Sequence, residues 1–155
     1  MTHSVIPLSH HNLKEAQAVL QVVFPTEPKA QHYFALSLEP KKKGASYFEY
    51  AVLEVDCKVI GTSGLYRERS TPDDLWLGWY GILPEYRGQG WGSVLLNDSI
   101  VLSRNMGAKN LRLWTTDEPD MAKAALVYVR KGFVMDSKEW DAEAKYHRIT
   151  YCLTL

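Results

Sequence analysis

Arg87, Gly88, Gln89, Gly90, Trp91, Gly92 and Ser93 set one arginine and three alternating glycines between an apolar run that reads as a strand and one that reads as a helix. A strand entering a helix through glycines presents several uncommitted backbone N–H groups and the positive end of the helix dipole. That combination binds phosphate. Glycine there lets the chain adopt conformations other residues avoid, and lets a ligand reach the backbone with no Cβ in the way. Arg87 would add charge. A tight turn beside a surface arginine would explain one glycine; three at alternate positions favour the anion site. Two familiar phosphate loops fail on the letters. A P-loop needs Gly-Lys-Ser/Thr, whereas Ser93 and Val94 follow Gly92 without a lysine. A dinucleotide fingerprint needs a third glycine where this chain has Ser93, and the antiparallel hairpin expected upstream argues against it too.

The chain of 155 residues has the length of one ordinary domain, here 1–155, with enough material for a real core. Eighteen basic residues balance eighteen acidic ones. A neutral chain lacks the electrostatic footprint of a nucleic-acid binder, so no nucleic-acid partner is expected. Lys41, Lys42 and Lys43 read as a solvated loop. Cys57 and Cys152 have no metal-type spacing to other ligands, and neither do the histidines, so no metal is expected and a reducing, cytoplasmic setting is the default. The opening residues lack a cationic segment followed by an apolar stretch and no apolar run reaches spanning length, so neither secretion nor a membrane partner is expected.

The elements that must hold the glycine loop follow from periodicity. A short strand at 4–8 precedes a helix capped by Asn12, with Leu13, Ala16, Val19, Leu20 and Val23 at helical spacing and Pro25 ending it. A second helix is expected over 29–38, then strands at 46–55 and 58–66 joined tightly at Asp56 and Cys57. The run 75–83 is the next strand, and its Gly78 and Gly81 suggest a bulge or a close ligand approach. The helix after the glycines should carry Trp91, Val94, Leu95, Val101 and Leu102 on one stripe and stop at Gly107. A strand at 111–115 follows, then a helix carrying Ala122, Ala125, Leu126 and Val129 and closed by Gly132, then strands near 133–140 and 147–153. The expected class is α/β of the α+β kind, a mixed, mainly antiparallel sheet flanked by helices.

The stretch resembles the acyl-CoA signature of the GNAT superfamily of N-acyltransferases, Arg/Gln-x-x-Gly-x-Gly/Ala, through Arg87, Gly90 and Gly92. The likeness runs over roughly 47–135 and includes the Tyr-x-x-x-Gly-Phe segment from Tyr128 to Phe133. It implies a GNAT-like acyl-CoA N-acyltransferase fold with acetyl-CoA as co-substrate. The coenzyme's pyrophosphate would lie on the amides of Gly88, Gln89, Gly90, Trp91, Gly92 and Ser93. It also implies that the strand ending Tyr80, Gly81 and Ile82 splays from its neighbour, so that the pantetheine arm pairs with it as an added strand. An N–H near Gly81 or Ile82 would polarise the thioester carbonyl. Tyr128 matches the family's general-acid tyrosine.

Acyl transfer needs a neutral amine, and a lysine-like amine is only about one part in two thousand neutral at pH 7. Some group or water must take its proton, and Glu68, Asp73, Asp74 and Glu118 are all open as that base. Met121 stands where many relatives have a pantetheine-contacting asparagine, and Thr116 where some carry a glutamate. The acceptor would be a small amine, amino acid or peptide; the aromatic residues of the 31–38 segment, Trp79, Tyr80, Trp114 and Tyr146 are open to two readings, a pocket that holds an amine by cation–π contact or simply well-packed core. The alternative function is a catalytically silent acyl-CoA-binding sensor or interaction module. A homodimer through the final strand is also allowed.

Overall fold

The computed structural model describes residues 1–40 and 48–155, and the side chain of Phe48 is outside that description. Lys41, Lys42 and Lys43, and the first two residues of the strand expected from 46, lie outside the described residues. The elements run β1 (His3–Pro7), α1 (Leu13–Val23), α2 (Lys29–Ser37), β2 (Phe48–Val55), β3 (Lys58–Tyr66), β4 (Asp74–Ile82), α3 (Trp91–Asn105), β5 (Asn110–Thr116), α4 (Ala122–Arg130), β6 (Val134–Asp141) and β7 (Tyr146–Thr154). That is the expected order of strands and helices. Among the described residues the sheet has seven strands in the order β1-β2-β3-β4-β5-β7-β6, antiparallel throughout except for the β4–β5 pair; the final strand β7 is therefore paired on both sides, by β5 and β6, and has no free edge for the two-fold pairing allowed above. Among the described residues no helix is long and apolar enough to cross a membrane.

The hairpin between β2 and β3 turns on Asp56 and Cys57, both at positive φ (48° and 64°), as a two-residue turn with right-handed strand twist requires. Glycine contacts assign the helices to faces. A Cβ at Gly61 would meet Leu95 of α3, whereas one at Gly64 would enter the Tyr50 ring, which stacks on Phe34 of α2. Odd and even positions of a strand point to opposite faces. Hence α1 and α2 cover one face and α3 the other. Tyr128 of α4 contacts Tyr151 of β7, which places α4 with α3. Beneath these helices lie Leu20, Phe34, Leu53 and Ile60 in one cluster and Leu75, Leu96, Leu111 and Leu113 in another.

Several local expectations are corrected. Asn12 occupies the cap position of α1, but its side chain turns back, accepting from Ser9 N at 2.9 Å and donating to the Pro7 carbonyl at 3.1 Å. It closes the preceding loop instead of the helix. Val101 is 53% exposed, because α3 buries Ser99 and Ser103 on its inner face, each hydroxyl donating to the carbonyl one turn back. Self-satisfied serines are small enough to pack there, which rotates the buried stripe away from Val101. On α4 the inward side chain is Tyr128, while Leu126 and Val129 face outward.

Candidate active site: a fork in the sheet beneath a glycine loop

The two parallel strands β4 and β5 pair only from Asp74 to Trp76 against Asn110 to Arg112, and then separate. The fork begins immediately past a charged clamp. Asp74, 5% exposed, accepts from Arg112 Nε at 2.6 Å and Asn110 Nδ2 at 2.9 Å, and Arg112 also reaches Asp136 at 2.7 Å. Burial raises the Asp74 carboxyl's pKa, but the hydrogen bonds from Arg112 and Asn110 outweigh it and hold the group below the usual carboxylate value.

The β4 edge is reshaped by a bulge at Trp79 and Tyr80, where two residues oppose the single Ser63 of β3. Gly78 and Gly81 flank it and neither has positive φ; Trp79 does, at 50°, an outlier for so bulky a residue. Packing overrides the backbone preference. The Trp79 ring packs edge-on to Phe24 and against Tyr33, and its carbonyl accepts from the buried hydroxyl of Thr62 at 2.8 Å. Gly81 is needed for room, since a Cβ there would lie 2.5 Å from Val23. The extra residue puts Trp79 on the same face as Gly78, the α1–α2 side, while Tyr80 points to the α3–α4 side.

Leu83 N donates to the Ile60 carbonyl at 2.8 Å, and antiparallel bonding alternates, so Gly81 turns its polar groups to Thr62 while Ile82 turns its own toward the fork. The Ile82 carbonyl is already taken by Arg87 Nε at 2.9 Å, which leaves the Ile82 N–H on the open edge.

At the mouth of the fork, α3 begins at Gly90 in the left-handed conformation, φ 89°, with Gly88 at φ 75°. Among the described residues neither has an atom within 4 Å of an added Cβ. Among the described residues the backbone N–H groups from 88 to 93 donate to nothing, whereas those of Tyr86, Arg87 and Val94 are all paired. Six free amides therefore crowd one helix end. Gln89 is tied back to the Glu85 carbonyl, and the Trp91 indole N–H is buried without a partner among the described residues. Tyr80 Oη donates to the Gly92 carbonyl at 2.6 Å, linking the bulge to the loop.

Tyr128 lies behind Tyr80, with ring centroids 6.0 Å apart, and is 7% exposed. Burial, then the neighbouring Tyr151, pushes its hydroxyl's pKa well up. The structure thus gathers Tyr80, Ile82, Arg87, the 88–93 amides and Tyr128 around one fork. The candidate bases are scattered. Asp74 is locked in its clamp, Asp73 pairs with Lys109 in solvent, Glu68 is exposed beyond β3, and Glu118 accepts from Thr116 past β5. Met121 stands at the start of α4.

The sequence reading missed a second pair. His147 Nδ1 lies 2.5 Å from Asp117 Oδ2, and its backbone N donates to Asp117 Oδ1 at 2.7 Å. His147 shares the face of Ile149 and Tyr151, opposite Trp114, and the pair ties the end of β5 to β7. Thirty positions separate the two residues, so no local signal could have joined them.

The family model described as acetyltransferase (GNAT) family matches residues 13–133. No curated protein matches the chain. Among solved structures, a GNAT-family protein from Desulfovibrio desulfuricans superposes with a TM-score of 0.84 at 18% identity, covering 99% of both chains. The ribosomal-protein-S18-alanine N-acetyltransferase from Escherichia coli gives 0.78 at 18% identity, over 99% of this chain and 94% of that one. A Bacillus subtilis acetyltransferase in complex with CoA gives 0.79 at 14% identity, over 99% of both. At such identities the structures establish the fold, and the family model, which spans most of the sequence, establishes the membership: this chain belongs to the GNAT family of acetyltransferases.

Proposed function

We propose that the protein transfers an acetyl group from acetyl-CoA to a primary amine of a small molecule, amino acid or peptide, by direct attack within a ternary complex. The observation that carries this reading is the set of six unpaired amides at the α3 N-terminus, open to a forked β4 edge with Tyr128 behind it. The amides of Gly88 to Ser93 hold the pyrophosphate, with the remaining guanidinium N–H groups of Arg87 beside them. Pantetheine extends along the β4 edge that β5 has left. The Ile82 N–H then meets the thioester oxygen as negative charge develops on it.

A neutral amine attacks the thioester carbonyl and forms the tetrahedral intermediate, losing its extra proton to solvent or a water-linked carboxylate. Collapse breaks the carbon–sulfur bond. The leaving thiolate takes the Tyr128 phenolic proton, which the raised pKa keeps in place at neutral pH. Met121, lacking an amide for pantetheine, and the scattered carboxylates favour a second reading, a binding module without turnover.

The deciding experiment is CoA release from acetyl-CoA across amino acids, polyamines, aminoglycosides and peptide N-termini, beside calorimetric CoA binding. Release with one class supports the enzyme. Tight CoA binding with no release from any acceptor supports the module.

A further inference from the structure

The helices α1 and α2 cover only part of their face of the sheet. Past the fork, the same face continues across Arg112 and Trp114 of β5 and Arg148 and Thr150 of β7, whose registers pair Trp114 with Thr150 and Thr116 with Arg148. Trp114 is 42% exposed there. Toward the bulge this floor is continued by Tyr66 and Trp76, stacked 6.4 Å apart, and by Trp79 and Tyr33. An acceptor reaching the thioester from this side lies on aromatic rings.

The two arginines on the floor differ in one respect. Arg112 is consumed by Asp74 and Asp136. Arg148 lies over the Trp114 ring at 4.2 Å, and among the described residues no carboxylate comes within ion-pair distance of it, although Glu139 is its partner in register on β6. Stacking occupies the flat face of a guanidinium and leaves its in-plane N–H fork free. The stack also turns the side chain inward, close enough for its charge to act on Tyr66, opposing the effects of burial and of Glu68 on that hydroxyl.

Resting on the acetyltransferase reading above, we propose that the acceptor is an amine carrying a carboxylate, and that Arg148, held on Trp114, is the receptor for that carboxylate. Its spacing follows from the sheet. Arg148 belongs to the second strand from β4, at least about 10 Å across because β4 and β5 have already separated at this level, and its side chain reaches back over β5. The carboxylate therefore lies on the order of 6 Å or more from the attacking nitrogen. That suits a short peptide or an extended amino acid, excludes the α-carboxylate of the reacting centre itself, and disfavours polyamines.

The test uses matched acceptors, 6-aminohexanoate against hexylamine and a dipeptide against its C-terminal amide, with wild type, Arg148→Gln and Arg148→Lys. Acetyl transfer is measured together with equilibrium binding of each acceptor to the CoA-loaded protein. The carboxylate member should lead by about tenfold or more in kcat/KM, carried by KM. Arg148→Gln should bring the ratio to about one, and Arg148→Lys should restore part of it. Equal use of both members by wild type, or a ratio that survives Arg148→Gln, overturns the assignment. Carboxylate-dependent binding that Arg148→Gln removes, without any acetyl transfer, supports the anion site and strikes the acetyltransferase reading instead.

Discussion

Tyr80 donates its hydroxyl to the carbonyl of Gly92 at 2.6 Å, and a Cβ on Gly92 would come within 2.9 Å of that same oxygen. One contact thus couples the bulge of β4 to the first turn of α3, and sets how near the amide cluster stands to the forked edge. Tyr80→Phe should lower stability by about 1 kcal/mol and weaken CoA binding, because the loop loses its tie to the bulge. Denaturant unfolding and calorimetric titration read the two effects separately; wild-type values in both would show the contact to be incidental.

Gly90 tests the loop itself. No described residue comes within 4 Å of its missing Cβ, so substitution acts through the backbone, which sits at φ 89°. Gly90→Val should cost about 1 to 2 kcal/mol of strain, or force the loop to another conformation, and in either case scatter the amides. CoA affinity should fall by about tenfold or more. Unchanged affinity would take the loop out of the coenzyme site.

Tyr128→Phe removes the proposed proton donor while retaining the ring that packs on Tyr80, Phe133 and Tyr151. We expect kcat to fall by about a hundredfold or more with CoA affinity preserved. The sign of the pH dependence follows from the raised pKa: the hydroxyl stays protonated through neutral pH and loses its proton only above the ordinary tyrosine value of about 10. In wild type, the basic fall in kcat caused by this group therefore lies above about pH 10. A fall centred near pH 8 that vanishes in Tyr128→Phe would contradict the assignment.

Arg112→Ala should destabilise the protein by about 3 kcal/mol, since it leaves Asp74 buried without its cation at the root of the fork. The carboxyl's pKa is lowered in the folded protein, so its contribution is present above the unfolded-state value near 4 and lost as pH falls through the lower, folded value. Unfolding free energies at pH 7 and pH 3 should differ by more in wild type than in an Arg112→Ala, Asp74→Asn double variant. Equal pH dependence in the two would assign acid sensitivity elsewhere.

The sequence by itself determined the order of strands and helices and the glycine loop, because these are local properties. Hydrophobic periodicity, a two-residue turn at Asp56 and Cys57, and glycines at Gly88 and Gly90 need only near neighbours to act. It also marked Tyr128 and the edge near Gly81 and Ile82, through a resemblance in spacing. Tertiary structure decided what depends on elements far apart in the chain. It placed positive φ on Trp79 and not on a flanking glycine, because Phe24, Tyr33 and Thr62 hold that residue where no local preference would. It decided which side of α3 is buried, since paired serines pack where Val101 was expected. It joined Asp117 to His147 and set Arg148 on Trp114, contacts that sequence leaves invisible because each side chain's partner is chosen by sheet register.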